Sequence, residues 1–328
     1  MISKAIAHAN IALVKYWGKR DAALNLPDVG SISITLERLS TVTEVFFSKA
    51  LTQDKLIMNN KEAGKKEVER ISKFLNLLRK AASIPLFAKV VSENNFPTSA
   101  GLASSASAFA ALSLAAADAA GLSYDKRNLS ILARRGSGSA ARSVYGGFVV
   151  MNRGEKEDGS DAYAEQIADQ HYWDIRVLIV VTSTEAKKIG STDGMILSKT
   201  TSPYYKSWVE SSVIDLREMR AAIAVKDFEK VAEISEHSCL KMHALAMSCN
   251  PGLIYWNPTT VKLVHEVKSL RAQGLPVFFS IDAGPQVKIF TMPDYVEKIK
   301  NHIEGITGIK KIISTKIGGD AHIIKVGS

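Results

Sequence analysis

Between Leu102 and Ala120 the chain runs almost entirely through alanine, serine and leucine, with no charged residue before Asp118. A helix with such small side chains is held by close packing against its neighbours, and Gly121 gives it a natural end. Ahead of it lie an apolar strand signal, Leu86 to Val91, and the turn-rich stretch Asn94-Asn95-Phe96-Pro97-Thr98-Ser99-Ala100-Gly101. The order strand, Gly-containing loop, small-residue helix commits this part of the chain to a mixed α and β fold. The run does not read as a membrane span, because Ser104, Ser105, Ser107, Ser113 and Asp118 interrupt it.

The elements on either side follow from periodicity. Ile2 to Val14, Ser31 to Leu36 and Thr41 to Phe47 are apolar or β-branched runs broken by turn residues, which predicts three strands. Val68, Ile71, Phe74, Leu75 and Leu78 share one face of a helix over Glu67 to Ala82. A second helix, Lys126 to Arg135, leads through a Gly-Ser loop into a strand at Val144 to Met151, and Asn152 to Gln170 reads as a surface excursion. After a buried-type strand at Ile175 to Thr182 the texture changes to long helices, Tyr204 to Val225, Asp227 to Ala246 and Thr259 to Gln273. Strands at Val277 to Asp282 and Val287 to Thr291, a helix from Pro293 to His302, and strands at Lys311 to Lys316 and His322 to Val326 complete the pattern. At 328 residues two tightly joined domains are expected, 1–185 and 186–328.

The hydrophobic fraction is 46% and the charged fraction 23%, both globular values that exclude disorder. A net charge of +9 favours anions. The anion could be nucleic acid, acidic lipid or a polyphosphate substrate, and charge alone does not choose; the lysines lie in ordinary mixed sequence, more often a solvated face than a nucleic-acid tract. Cys239 and Cys249 have no metal-ligand spacing and read as buried thiols of a reducing compartment. With Lys4, His8 and Lys15 breaking the N-terminal apolar stretch, neither a signal peptide nor a membrane anchor is expected, and a cytoplasmic protein follows.

Four places could carry chemistry. In Pro97-Thr98-Ser99-Ala100-Gly101-Leu102-Ala103-Ser104-Ser105-Ala106-Ser107, Gly and Ser at a helix start let backbone N–H groups and hydroxyls approach a phosphate; a Ser-rich helix cap is the plainer alternative. No Gly-Lys-Ser/Thr closes it, so it is not a Walker loop. Arg142 follows Ser137-Gly138-Ser139 by about a helical turn, so a guanidinium and two hydroxyls could meet one oxyanion, or cap a helix beside a surface arginine. Lys15 interrupts an apolar strand, which is costly unless its ammonium meets an anion. Asp282 ends an apolar strand before Ala283-Gly284-Pro285, where it either serves a site or caps the turn.

These segments together resemble the GHMP kinase superfamily in its mevalonate diphosphate decarboxylase branch. The resemblance rests on Ala9 to Arg20, Asn95 to Ala106, Ala133 to Gly147, Gly190-Ser191-Thr192-Asp193-Gly194-Met195 and Asp282-Ala283-Gly284-Pro285, which are similar to that family's motifs in the same order. It implies an α+β two-domain fold with the site in the interdomain cleft, a nucleotide-binding first domain, ATP and Mg²⁺ as cofactors, a phosphorylated mevalonate as substrate and a homodimer. It further implies Asp282 as the carboxylate at the 3-hydroxyl, Lys15 as an active-site cation, and Arg142 facing the substrate carboxylate and Asp282. Tyr16, Lys19, Ser137, Gly138, Ser139 and Ser191 would hold the phosphate tail. The nucleotide would lie along Pro97, Gly101, Leu102, Ala103, Ser104, Ser105 and Ser107, with Ser92 and Asn94 nearby. Trp17 is assigned to the core. The chain departs from the family at Leu26-Pro27-Asp28-Val29-Gly30-Ser31, where Asn-Ser-Ser typically follows Leu-Pro, and the role of Asp28-Val29-Gly30 stays open.

Overall fold

The computed structural model describes residues 1–96, 104–185 and 188–325. The chain opens with strand β1 (Ile2–Val14), a short hairpin of β2 (Lys19–Asp21) and β3 (Leu26–Pro27), and the long strand β4 (Ser31–Ser48). A second hairpin, β5 (Lys55–Met58) and β6 (Lys61–Glu62), leads to helix α1 (Lys65–Ala82) and strand β7 (Phe87–Asn94). Helices α2 (Ser104–Ala119) and α3 (Lys126–Gly136), a 3₁₀ turn over Gly138–Val144, and strands β8 (Phe148–Met151) and β9 (Ala164–Ala168) follow. Strands β1, β4, β5 to β9 and the late strand at His322–Ile323 form one eight-stranded sheet, with α2 packed on β1 and β4. As its composition demands, α2 is buried on nearly all sides, and its alanines let the sheet approach closely.

The rest of the chain comprises β10 (Arg176–Val181), α4 (Ser191–Thr201), α5 (Tyr205–Ala224), α6 (Phe228–Met247) and α7 (Pro258–Ala272). It ends with β11 (Val277–Ser280), β12 (Val287–Thr291), α8 (Val296–Glu304), β13 (Lys311–Lys316) and β14 (His322–Ile323). A four-stranded sheet runs β11-β12-β10-β13. The two sheets share a core: Ile11, Leu13, Ile32 and Ile34 of the first pack with Val177, Ile179, Phe278 and Phe290 of the second and with Met219 and Val231 of the helices. A bulge in β1 between His8 and Asn10 lies where its buried residues pass from the α2 core, at Ala5 and Ala7, to this shared core. The fold is α+β, and no helix among the described residues is long and apolar enough to cross a membrane.

Three expectations about individual strands are corrected. Ser31 to Leu36 and Thr41 to Phe47 are one strand: the polar interval between them remains extended, Ser40 pairing with His8 and Leu36 bridging Ile317. The strand expected from Val144 begins at Phe148, because Gly138–Val144 is wound into a 3₁₀ turn. The polar excursion contains β9, whose exposed Glu165 and Gln166 give it the composition of a loop although it pairs with β8. β10, which precedes the expected boundary at 185, hydrogen-bonds to β12 and β13. Local texture cannot reveal that pairing.

Candidate active site

A cleft of about 730 Å³ opens where the end of β1, the start of α2, the Gly138–Val144 turn, the start of α4 and the turn after β11 meet. Six of its lining residues are cationic, Lys15, Lys19, Arg70, Lys73, Arg135 and Arg142, and among the described residues Asp282 is its one acid. Such a cleft concentrates a strong positive potential and selects polyanions.

Lys15 and Asp282 form the centre. The Lys15 Nζ donates to Asp282 Oδ1 at 2.9 Å and to the Ala12 carbonyl at 2.8 Å. The lysine side chain is 1% exposed and the aspartate 28%, so of the two cleft-lining residues the carboxylate is the more accessible. Burial would raise Asp282, but Lys15, Lys288 and Arg142 together outweigh it and hold the carboxyl below its usual range. Lys288 does this from the buried interior of β12. Beneath the turn, burial and Lys15 keep His243 neutral, at about 3, and burial raises the Cys239 thiol to about 11, so neither brings charge to the pair. Both cysteines are buried and free, as expected.

Arg142 is fixed by three acceptors, Ser31 Oγ at 2.6 Å, Ser33 Oγ at 2.9 Å and Asn10 Oδ1 at 3.1 Å. Burial lowers it to about 10, which still leaves it cationic near neutrality. Its influence on Asp282 is through charge; the hydrogen bonds described for its guanidinium go to β1 and β4. Tyr16 is held protonated by burial, and its hydroxyl has no partner among the described residues. That hydroxyl lies against Gly138, where an added Cβ would sit 2.2 Å from it.

At one end of the cleft Lys19 Nζ reaches Asn25 Oδ1 at 2.6 Å and Thr192 Oγ1 at 3.4 Å, beside Ser191 at the first turn of α4. Burial and Arg70 lower the Lys19 ammonium. At the other end Ser137 Oγ lies 3.4 Å from both Ser105 Oγ and Ser139 Oγ, gathering three hydroxyls beside Ser104 at the start of α2. Trp17 is core: it is 2% exposed and its indole donates to Ser198 Oγ at 2.9 Å.

The expected nucleotide residues divide three ways. Ser104 and Ser105 line the cleft. Pro97, Gly101, Leu102 and Ala103 lie outside the described residues. Ser92, Asn94 and Ser107 do not line it: Ser92 Oγ contacts Thr43 at 2.9 Å, and Thr41 Oγ1 contacts Asn94 Oδ1 at 2.5 Å and Ser107 Oγ at 2.6 Å, tying β4, β7 and α2 together. Sequence reasoning missed Asn25, Arg70, Lys73, Arg135 and Lys288. Arg70 stacks over Phe109, 4.6 Å from the ring centroid, and donates to the Gly136 carbonyl at 2.9 Å.

A serine-rich helix start facing a cationic cleft in an α+β fold is the arrangement that the resemblance to GHMP kinase-type enzymes implies. The family model described as the diphosphomevalonate decarboxylase-like N-terminal domain matches residues 7–164, and that of the mevalonate 5-diphosphate decarboxylase C-terminal domain matches residues 177–324. The chain belongs to the diphosphomevalonate decarboxylase family. It is 39% identical to diphosphomevalonate decarboxylase mvd1 of Aspergillus fumigatus over 325 residues, 92% of this chain and 80% of that one. Two solved structures superpose with a TM-score of 0.93 over 99% of both chains: the complex of MDDEF with MVAPP, AMPPCP and magnesium, 37% identical, and mevalonate diphosphate decarboxylase from Staphylococcus aureus, 39% identical.

Proposed function

We propose that this chain catalyses the ATP-dependent decarboxylation of mevalonate 5-diphosphate to isopentenyl diphosphate, with release of ADP, phosphate and CO₂. The observation that carries the reading is the Lys15–Asp282 pair facing a cleft of six cations, with hydroxyls gathered at the start of α2. In the first step the 3-hydroxyl oxygen bonds to the γ-phosphorus while the bond to ADP breaks. In the second, the C3–O bond breaks as phosphate leaves, and the electron pair of the bond to the carboxyl carbon becomes the new double bond as CO₂ departs.

Asp282 accepts the hydrogen bond of the 3-hydroxyl and aims its oxygen at the phosphorus. With its carboxyl held below the usual range it is a weak base, so it orients the hydroxyl and takes the proton late, as a loose phosphoryl-transfer transition state requires. Lys15 keeps that carboxylate ionised, and Arg142, aimed by Ser31, Ser33 and Asn10, stabilises the negative charge that moves onto the departing phosphate. Tyr16, Lys19 and Ser191 take the substrate's diphosphate tail, and Ser137, Gly138 and Ser139 border both ligands. Ser104, Ser105 and Arg70 are assigned to the nucleotide phosphates. Ser104 and Ser105, at the start of α2, would lie beside the phosphates that carry Mg²⁺, and the ion would offset charge on the phosphoryl group being transferred.

The test is incubation with ATP, Mg²⁺ and either mevalonate diphosphate or monophosphate, following ADP, phosphate and CO₂ together. Equal release of all three from the diphosphate is expected. Turnover of the monophosphate alone would reassign the tail specificity, ADP without CO₂ would make the chain a kinase, and no turnover with either would sink the reading.

A steric consequence concerns Gly138. Its replacement by alanine forces the Tyr16 hydroxyl aside, so Gly138→Ala is expected to lower kcat/KM for mevalonate diphosphate by about tenfold or more and to cost about 1–3 kcal/mol by overpacking. Steady-state kinetics with a thermal melt checks both, and an unchanged KM would count against Tyr16 as a tail ligand.

A further inference from the structure

The departure at Asp28-Val29-Gly30 sits behind the tail end of the cleft rather than in it. Val29 is buried among Tyr16, Trp17 and Trp208, and a Cβ at Gly30 would stand 2.7 Å from Leu216 of α5. Asp28, 9% exposed, gathers three elements. Its Oδ2 accepts from Tyr205 Oη of α5 at 2.5 Å and from Lys199 Nζ of α4 at 3.0 Å, and its backbone N–H donates to the Gly18 carbonyl at 3.3 Å. The same Lys199 Nζ donates to the Lys19 carbonyl at 2.8 Å. Gly18 is at φ +105°, and a side chain there would run into the Tyr205 hydroxyl, 2.1 Å from the Cβ position.

Tyr16 and Lys19 thus come from the segment leading into the β2–β3 hairpin, and Ser191 and Thr192 come from the first turn of α4. On the cleft side Lys19 meets Thr192 at 3.4 Å, and deeper in, the Trp17 indole donates to Ser198 of α4 at 2.9 Å. At the back the two walls are fastened by Asp28, Lys199 and Tyr205. We infer that Asp28 is a positioning residue for tail recognition, a latch that sets the spacing between the hairpin and α4 and thereby the affinity for a diphosphate-bearing ligand. The inference rests on the tail assignment above. A carboxylate suits this position because it accepts from a hydroxyl and an ammonium at once, whereas an amide oxygen would keep the first contact and lose the ion pair.

The experiment is calorimetric titration of the full chain with mevalonate diphosphate and, separately, with a non-hydrolysable ATP analogue. Asp28→Asn is expected to weaken mevalonate diphosphate by about tenfold and to leave the nucleotide analogue within about twofold. Lys199→Met, at a side chain 41% exposed and tolerant of change, is expected to give the same selective loss and stands in should Asp28→Asn fail to fold. Affinity for mevalonate diphosphate unchanged in the variant, or lost equally for both ligands, overturns the latch. Absence of mevalonate diphosphate binding by the unaltered chain would overturn the functional reading instead, which keeps the two failures distinct.

Discussion

Asp282→Asn is expected to lower kcat by about a thousandfold or more, with KM for mevalonate diphosphate changed only a few fold. The amide has the shape of the carboxylate and can still touch the 3-hydroxyl, so ground-state binding survives. What disappears is the charge that draws the hydroxyl proton as phosphorylation proceeds, and with it the partner of an ammonium that is 1% exposed. The variant therefore leaves a buried cation uncompensated, and a stability loss of about 3 kcal/mol accompanies the kinetic one. Single-turnover measurement of ADP formation on folded protein separates the two effects. A kcat within tenfold of the unaltered enzyme would remove Asp282 from the chemistry.

Lys15→Met probes the same pair from the other side and carries a pH signature. The lysine is the foremost of the influences that lower Asp282, and burial, which raises it, stays when the lysine goes. In the unaltered enzyme the carboxyl titrates below its usual 3.8 and imposes no acid limb on activity near neutrality. In the variant it titrates higher, so the protonated, inactive form accumulates as pH falls. The loss of kcat/KM, expected to be about a hundredfold to a thousandfold at neutral pH, should deepen toward acid and shrink toward base. Profiles over about pH 5 to 9 would reveal it, and a ratio of variant to unaltered activity that is flat with pH would contradict Lys15 as the group that keeps Asp282 ionised.

What could be read from the sequence, and what could not, follows the distance over which each feature is encoded. Lys15 announced itself because an ammonium inside an apolar strand needs a partner, whereas Asp282 before a Gly-Pro turn read as well as a turn cap, and the resemblance alone gave it a role. The serines at 104, 105, 137 and 139 stand in short contiguous motifs. Arg70 and Lys73 carried no such mark: on an amphipathic helix such as α1 a cation bordering a cleft has the same spacing as one facing water. Ser107 stood in the right motif but turns toward Thr41, because one step along α2 rotates a side chain by about 100°. Lys288 was hidden inside a strand pattern, its meaning set by a neighbour six residues away across a turn. Strand partners were out of reach for the same reason, since hydrogen bonding between β10 and β12 leaves no trace in the composition of either.

The Lys15–Asp282 pair joins residues 267 positions apart. During synthesis the ribosome must deliver most of the chain before the ammonium at the end of β1 meets its carboxylate. The first sheet waits as well, because its strand β1 is paired along one edge by His322–Ile323. Both the first sheet and the pair at the centre of the cleft are thus closed by residues from the end of the chain.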